Sequence, residues 1–280
     1  GFDEKFWFRI LLFRERKPFV KTAIVAGGAG FIGSHLCDFL LKRNYKVIAI
    51  DNLITGSTKN IHGLKHDPNF EFIEADISKS IEKLADVMID EIYNLACPAS
   101  PRFFSSIPVF ILKTSSEGHT HLLDLAKSKS AKILLASSSE VYGDSLLHPQ
   151  EESYRGNVSS TGPRSCYDEG KRVAEALSMA YHKEFGIQTR IARIFNTYGP
   201  RMSFDDGRVI PNFFMQALMG KPLSVYGSGQ QTRSLCYVSD LVKGLFLLMQ
   251  SSEVTPVNLG NPDERTVLEI SQAVLNICDK

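Results

Sequence analysis

The chain has 280 residues, 43% of them hydrophobic and 22% charged, with a formal net charge of +1. This is length enough for one large α/β domain, or a large and a small one, and the balanced charge excludes the basic face of a nucleic-acid binder. Five cysteines (Cys37, Cys97, Cys166, Cys236, Cys278) include no Cys-x-x-Cys pair. An odd, unpatterned set predicts reduced buried thiols in a cytoplasmic protein, and neither disulfides nor a metal site.

Residues 1–20 read as an N-terminal extension. Phe6–Phe13 is apolar apart from Arg9, and Arg14-Glu15-Arg16-Lys17 ends it. It is too short for a bilayer span, which takes ~20 apolar residues. It also lacks the small-residue cleavage site of a signal peptide. The expectation is a segment packed on the domain or on a partner subunit, with no membrane span.

From Lys21 onward strands and helices alternate. Thr22–Ala26 is a short apolar strand, followed by a glycine cluster and a helix over Phe31–Leu41. Strands are predicted at Lys46–Ile50, Phe70–Glu74 and Glu91–Leu95. A helix over Val109–Lys127, a strand at Ala131–Ala136, a long helix over Cys166–Phe185 and a strand at Thr189–Ile194 follow. The pattern predicts an α/β fold, a doubly wound, Rossmann-like parallel sheet with helices on both faces and right-handed crossovers. After Asn196, Gly199-Pro200, Asp206-Gly207, Lys221-Pro222 and Gly227-Ser228-Gly229 punctuate shorter elements. They predict a smaller α/β substrate lobe over 197–237 and 259–280. Ser239–Gln250 is again an apolar helix, so 238–258 is expected to rejoin the main domain of 21–196.

Gly27, Gly30 and Gly33 lie between the first strand and the first helix in a G-x-x-G-x-x-G spacing. One glycine makes the turn, one lets backbone approach a pyrophosphate, and one lets helix and strand pack closely. The helix N-terminus, with Phe31 and Ile32, would offer free N–H groups to the phosphates. Asp51, followed by Asn52, closes the second strand, where an acid binds the ribose hydroxyls of NAD and repels the 2′-phosphate of NADP. Asp76 and Ile77, after the third strand, are candidates for the adenine side.

Tyr167 and Lys171 form a Tyr-x-x-x-Lys pair at the start of the long helix. The i, i+4 spacing puts both on one face. A phenol is a poor base at neutral pH, and a nearby ammonium is expected to lower its pKa. Ser137-Ser138-Ser139-Glu140 follows a central strand, at the carboxyl end where open parallel sheets bind ligands; a serine-rich cap is the alternative.

These stretches, with Arg193-Ile194-Phe195-Asn196-Thr197-Tyr198-Gly199-Pro200, resemble the extended short-chain dehydrogenases/reductases of the NAD-dependent epimerase/dehydratase family, which act on nucleotide sugars. Within that family the chain is most similar to the UDP-glucuronate decarboxylases. The resemblance rests on Asn94-Leu95-Ala96-Cys97-Pro98-Ala99-Ser100-Pro101, Gly162–Arg172, Asp206–Ile210 and Val225–Arg233, and covers Lys21 to the end.

The resemblance implies a seated NAD that is recycled while a C4 ketone forms, CO2 leaves, C5 is reprotonated and UDP-xylose results. It makes Tyr167, Lys171, Ser138, Ser139 and Glu140 catalytic, and adds Leu95 and Ala96 to the cofactor contacts. Pro98, Arg164, Asn196, Arg208, Val209, Tyr226 and Arg233 would hold UDP-glucuronate. For Arg164, Arg208 and Arg233 the alternative is a surface salt bridge without substrate, and it is weaker for Arg233 than for the other two. Four features depart from the family pattern: Ser138 stands in place of threonine, Ser115 in place of asparagine, Phe104 offers no tyrosine hydroxyl, and relatives continue beyond position 280 with a segment completing the substrate lobe.

A 4,6-dehydratase would carry Asp-Glu where this chain has Ser139-Glu140, and a 4-epimerase would lack Glu140. A non-enzymatic dinucleotide sensor on the same fold would typically have lost Tyr167 or Lys171, while Phe104 and the further C-terminal segment of relatives leave an inactive dinucleotide-binding scaffold as the second alternative. A homodimer is implied through the helices 109–127 and 166–185, with Leu122, Leu123, Leu125 and Ala126 compatible with either an interface or a core.

Overall fold

Ala23, Ile24, Val25 and Ala26 are all fully buried. A strand apolar on both sides of its pleat must be covered on both faces, which only a sheet sandwiched between helices provides. The computed structural model describes residues 20–79 and 84–279; the apolar stretch at 6–13 lies outside them.

That strand, β1 (Thr22–Ala26), runs through the glycine turn into α1 (Phe31–Leu41), β2 (Lys46–Asp51), β3 (Phe70–Glu74) and β4 (Glu91–Asn94). Then come α2 (Pro108–Lys113), a π-helical turn (Thr114–Gly118), α3 (His119–Lys129), β5 (Lys132–Ser138), α4 (Ser165–Phe185) and β6 (Thr189–Ile194). The remainder is β7 (Thr197–Tyr198), α5 (Val209–Leu218), β8 (Thr232–Ser234), β9 (Cys236–Tyr237), α6 (Val238–Gln250), β10 (Pro256–Leu259), β11 (Glu264–Thr266) and α7 (Val267–Ile277).

Seven strands pair in parallel in the order β10-β6-β5-β4-β1-β2-β3. The order reverses between β1 and β4, and a crevice opens there at the carboxyl ends of the strands. Alternate strand residues feed two cores. Ala23 and Val25 pack with Leu36 and Leu40 of α1 and Leu241 and Leu245 of α6. Ile24, Ile48, Ile92 and Ile133 pack with Leu122, Leu123 and Ala126 of α3. Those α3 residues are therefore core and not interface: Leu122, Leu123 and Ala126 are fully buried against the sheet, and Leu125 packs on the same cluster. The helix has one apolar stripe, and the sheet takes it.

The helix expected over 109–127 is broken by the π-helical turn. Thr114 and Ser116 donate hydroxyl hydrogen bonds to the carbonyls of Phe110 and Leu112, 2.8 and 2.7 Å away. Such back-bonding competes with the helical ladder. Gly118 lets Ile77 approach: a Cβ there would lie 2.9 Å from Ile77 Cγ1.

Beyond the sheet, α5 and α7 pack through Phe213, Ala217, Val267, Ile270 and Val274, and β8 pairs with β11 antiparallel. A capping box between Thr266 and Glu269 starts α7. Cys37, Cys166 and Cys236 are buried, whereas Cys97 and Cys278 are only half-buried, a correction to the expectation of five buried thiols. No helix among the described residues is long and apolar enough to cross a membrane.

Candidate active site

A cleft of about 1660 Å³ lies between the carboxyl ends of the strands and the smaller lobe. At one end Gly27 takes φ +78°, and its N–H and that of Gly28 donate to the Ile50 carbonyl at 2.8 and 3.2 Å. A Cβ on Gly27 would lie 2.8 Å from the Leu95 carbonyl, so only glycine passes here. A Cβ on Gly33 would lie 2.0 Å from the Gly27 carbonyl oxygen, so α1 seats directly on the turn. α1 has no side-chain cap and no acid in its first turn. Its first N–H groups are left for an external acceptor, and Phe31, Ile32 and Gly33 line the cleft.

Asp51 accepts the N–H of Ala29 at 3.0 Å through one oxygen and that of Leu53 at 2.9 Å through the other. Burial raises its pKa against the pull of these hydrogen bonds. Asn52, Asp76, Ile77, Leu95 and Ala96 complete this part of the wall, together with Thr55, Ser57, Lys59 and Asn60, which the sequence reading did not single out. A bare helix N-terminus for a diphosphate and a backbone-fixed carboxylate for a diol fit a dinucleotide.

The Ala96 edge is held from behind. Asn94 accepts the Ala96 N–H at 3.1 Å and donates to His119 Nδ1 at 3.0 Å. His119 Nε2 then donates to Ser178 at 2.8 Å, and Ser178 donates to the Ala174 carbonyl. The chain of donors requires a neutral imidazole, and burial lowers the His119 pKa to about 3, with Lys171 adding to the effect.

Tyr167 and Lys171 lie on the first turns of α4 and face the cleft opposite α1. Lys171 Nζ donates to the Ala136 carbonyl at 2.7 Å and sits 5.7 Å from the Tyr167 ring centroid. The expected lowering of the tyrosine pKa is not what this structure has. Burial pushes the phenol up, Cys97 and Glu140 add to this, and the hydrogen bond with Ser138 and the Arg208 charge act against it. Phe104 stacks on the Tyr167 ring at 5.0 Å and 16°, so the side chain lacking the family's hydroxyl fixes the phenol's plane.

Ser138 ends β5 and caps the short turn Ser139–Tyr142, accepting the Glu140 N–H at 3.3 Å. Ser139 and Glu140 line the cleft beside it. Arg164 reaches Glu140 at 2.6 Å and Asp168 at 3.7 Å. Burial raises Asp168 to about 6 although the Arg164 charge opposes it.

Pro98, Asn196, Arg208, Val209 and Arg233 also line the cleft. Arg208 stands directly before α5 and grips Asp206 with two nitrogens; burial lowers its pKa, and Asp206 and Tyr167 together raise it above its ordinary value. Tyr226 does not join them. It is 79% exposed, its carbonyl accepts from Gln231, and it is absent from the cleft wall.

Two arrangements have no local signature in the sequence. Residues 199–208 form a strap over the cleft: His35 bonds the Pro200 carbonyl at 2.9 Å, Arg201 pairs with Asp38 at 2.5 Å, and Ser100 donates to the Asp206 carbonyl at 2.7 Å. Arg102 pairs with Asp205 beside it. Behind the serines, Glu175 accepts Ser137 at 2.6 Å and Arg193 at 2.8 Å, and Arg193 bonds Tyr142, which donates to Asn258 at 2.7 Å.

Residues 23–260 match the NAD dependent epimerase/dehydratase family. The chain is 53% identical over 256 residues to UDP-glucuronic acid decarboxylase 1 of Arabidopsis thaliana, covering 91% of this chain and 58% of that protein. It is 54% identical over 252 residues to UDP-glucuronic acid decarboxylase 6 of the same plant, covering 90% and 72%. Among solved structures it is similar to UDP-glucuronic acid 4-epimerase from Bacillus cereus in complex with UDP-glucuronic acid and NAD, with a TM-score of 0.78, 32% identity, and 92% and 83% of the two chains covered. The chain thus spans little more than half of one curated relative and nearly three quarters of another, and over that span it belongs to the NAD-dependent epimerase/dehydratase family.

Proposed function

We propose that the chain decarboxylates UDP-glucuronate to UDP-xylose with a seated, recycled NAD. The observation that carries this is the grouping of Tyr167, Ser138 and Glu140 on one wall of the cleft, with Arg164 on Glu140 and the bare start of α1 opposite. The relatives named as decarboxylases share more than half of the chain's aligned residues, against 32% for the epimerase structure.

The first turn of α1 would hold the cofactor's diphosphate, Asp51 its adenosine ribose, and Lys171 the ribose of the nicotinamide. NAD seated there supplies a reversible hydride acceptor for C4 of the sugar. Tyr167 would act as the phenolate, which the Lys171 ammonium and the positive charge of a bound nicotinamide ring would favour against its burial; in that form it takes the C4 hydroxyl proton, and Ser138 orients that oxygen. A C4 ketone is β to the carboxylate, so CO2 departs and leaves an enolate. Glu140, beside Ser139, returns a proton to C5, and Tyr167 gives its proton back to the C4 oxygen as that carbon is reduced again, which leaves UDP-xylose and the cofactor in its oxidised form. Arg208 and Arg233 offer cations to the diphosphate, with Asn196, Val209 and Pro98 around the nucleotide and sugar. Residues 197–237 and 259–280 act as the substrate lobe closing on the domain of 21–196 and 238–258. The same reading includes a homodimer through the open face of α2 and α4, where Val109, Leu112 and Val173 are exposed.

The test is a substrate panel of UDP-glucuronate, UDP-glucose and dTDP-glucose with the NAD-loaded chain. CO2 and UDP-xylose from the first alone support the reading. UDP-galacturonate from the first, or a 4-keto-6-deoxy sugar from the last, contradicts it.

A further inference from the structure

Asp168 has no part in the scheme above, yet it carries an unusual cost. It is 7% exposed, and its Oδ1 has no hydrogen-bond partner. An unanswered buried carboxylate oxygen is unfavourable, and an apolar side chain would fill this helical position at lower cost. Its other oxygen lies 3.7 Å from Arg164 Nε, and the same guanidinium binds Glu140 at 2.6 Å. One cation is therefore shared between two carboxylates, one in the cleft and one behind it. The other charged or titratable groups around this wall are Tyr167 and Glu169 on the same helix, Arg208 from α5 and Cys97.

We propose that Asp168 is a positioning residue that acts through Arg164 on Glu140. Asp168 holds the Nε side of the guanidinium from behind the wall, and the nitrogen on its other side then keeps the Glu140 carboxyl turned into the cleft, where it can hand a proton to the C5 enolate. This rests on the reading of Glu140 as the C5 proton donor, and it adds a requirement that the donor's cation be held in place from behind.

The test follows single turnovers of NAD-loaded protein with UDP-glucuronate, reading reduced nicotinamide by its near-ultraviolet absorbance and products by mass spectrometry. Asp168→Asn keeps the shape and removes the charge. Ketone formation and CO2 release are expected at the native rate. Proton return is expected to slow about tenfold, a fraction of the hundredfold or more that a general acid contributes. Reduced nicotinamide then accumulates, KM and melting temperature hold, and Asp168→Glu restores most of the rate. In a Glu140→Gln background Asp168→Asn adds nothing. Uniform slowing of every step, a loss of NAD affinity, or the same tenfold factor in the Glu140→Gln background overturns the proposal. If Glu140→Gln itself returns the proton at the native rate, the reading of Glu140 is what fails. Asp168→Ser also removes the charge and repeats the measurement if the asparagine variant does not fold.

Discussion

Replacing Gly33 by alanine probes the joint between fold and cofactor. The added Cβ would sit 2.0 Å from the Gly27 carbonyl oxygen, 2.8 Å from the Gly27 carbonyl carbon and 3.0 Å from Gly28 Cα. All three are backbone atoms, so no side chain can swing aside. Reaching an ordinary van der Waals separation means opening the joint between α1 and the turn by about 1.4 Å at the tightest point. Overpacking of this kind costs ~1–3 kcal/mol, against ~1 kcal/mol gained from the better helix former. The larger effect is on binding. A start of α1 displaced by more than an ångström no longer aims two N–H groups at a diphosphate. Losing two charge-assisted hydrogen bonds at ~1.5 kcal/mol each weakens NAD binding about a hundredfold. Titration calorimetry with NAD reads this directly. Gly63→Ala is the control: nothing lies within 4 Å of its added Cβ and its φ is not positive, so its NAD affinity should equal that of the native chain. A Gly33→Ala chain that binds NAD within threefold of native would refute the reasoning.

Tyr167→Phe removes the proton acceptor and leaves the ring stacked on Phe104, so turnover should fall at least about a hundredfold while calorimetric NAD affinity stays within about threefold. Arg201→Ala frees one end of the strap from Asp38; stopped-flow NAD release should quicken about tenfold with the melting temperature unchanged, and an unaltered release rate would remove the strap from cofactor retention. His119 titrates near 6.5 when unfolded and near 3 in the fold, so the unfolded chain binds the extra proton between those values. Its contribution to stability is complete above pH 6.5 and is lost as the pH falls toward 3, at up to about 1.4 kcal/mol per unit. Thermal melts from neutral pH to about pH 4 should therefore fall less steeply for His119→Gln than for the native chain.

Part of the sheet was legible because central parallel strands are continuous apolar runs, and Thr22–Ala26 stands where its composition places it. Phe70–Glu74, an edge strand with Glu71 exposed, and Thr189–Ile194, with two arginines, are not such runs; their aromatic and β-branched residues between turns placed them. The glycine spacing located α1 to the residue, since steric need fixes both Gly27 and Gly33. What was not legible is long-range. The apolar stripe of α3 carries no mark saying whether a sheet or a subunit covers it. The π-helical turn arises from two hydroxyls and the approach of Ile77, some forty residues earlier in the chain. The strap depends on Asp38, Ser100 and Arg102, each unremarkable in its own segment. Tyr226 sits in a long matching stretch, yet the turn at Gly227 and Gly229 leaves it in solvent. Proximity of Tyr167 and Lys171 was read correctly from helical spacing, but the direction of the tyrosine's pKa was not, because spacing says nothing of burial.

In the proposed reaction a sugar carbon becomes a transient ketone, and Glu140 then returns a solvent-derived proton to C5. Incubating NAD-loaded protein with UDP-glucuronate in heavy water and reading the product by mass spectrometry and NMR tests it. One deuterium at C5 of UDP-xylose, one CO2 per sugar and no net reduced nicotinamide are expected. UDP-xylose without deuterium at C5, or a uronic acid product that keeps its carboxylate, would contradict the account.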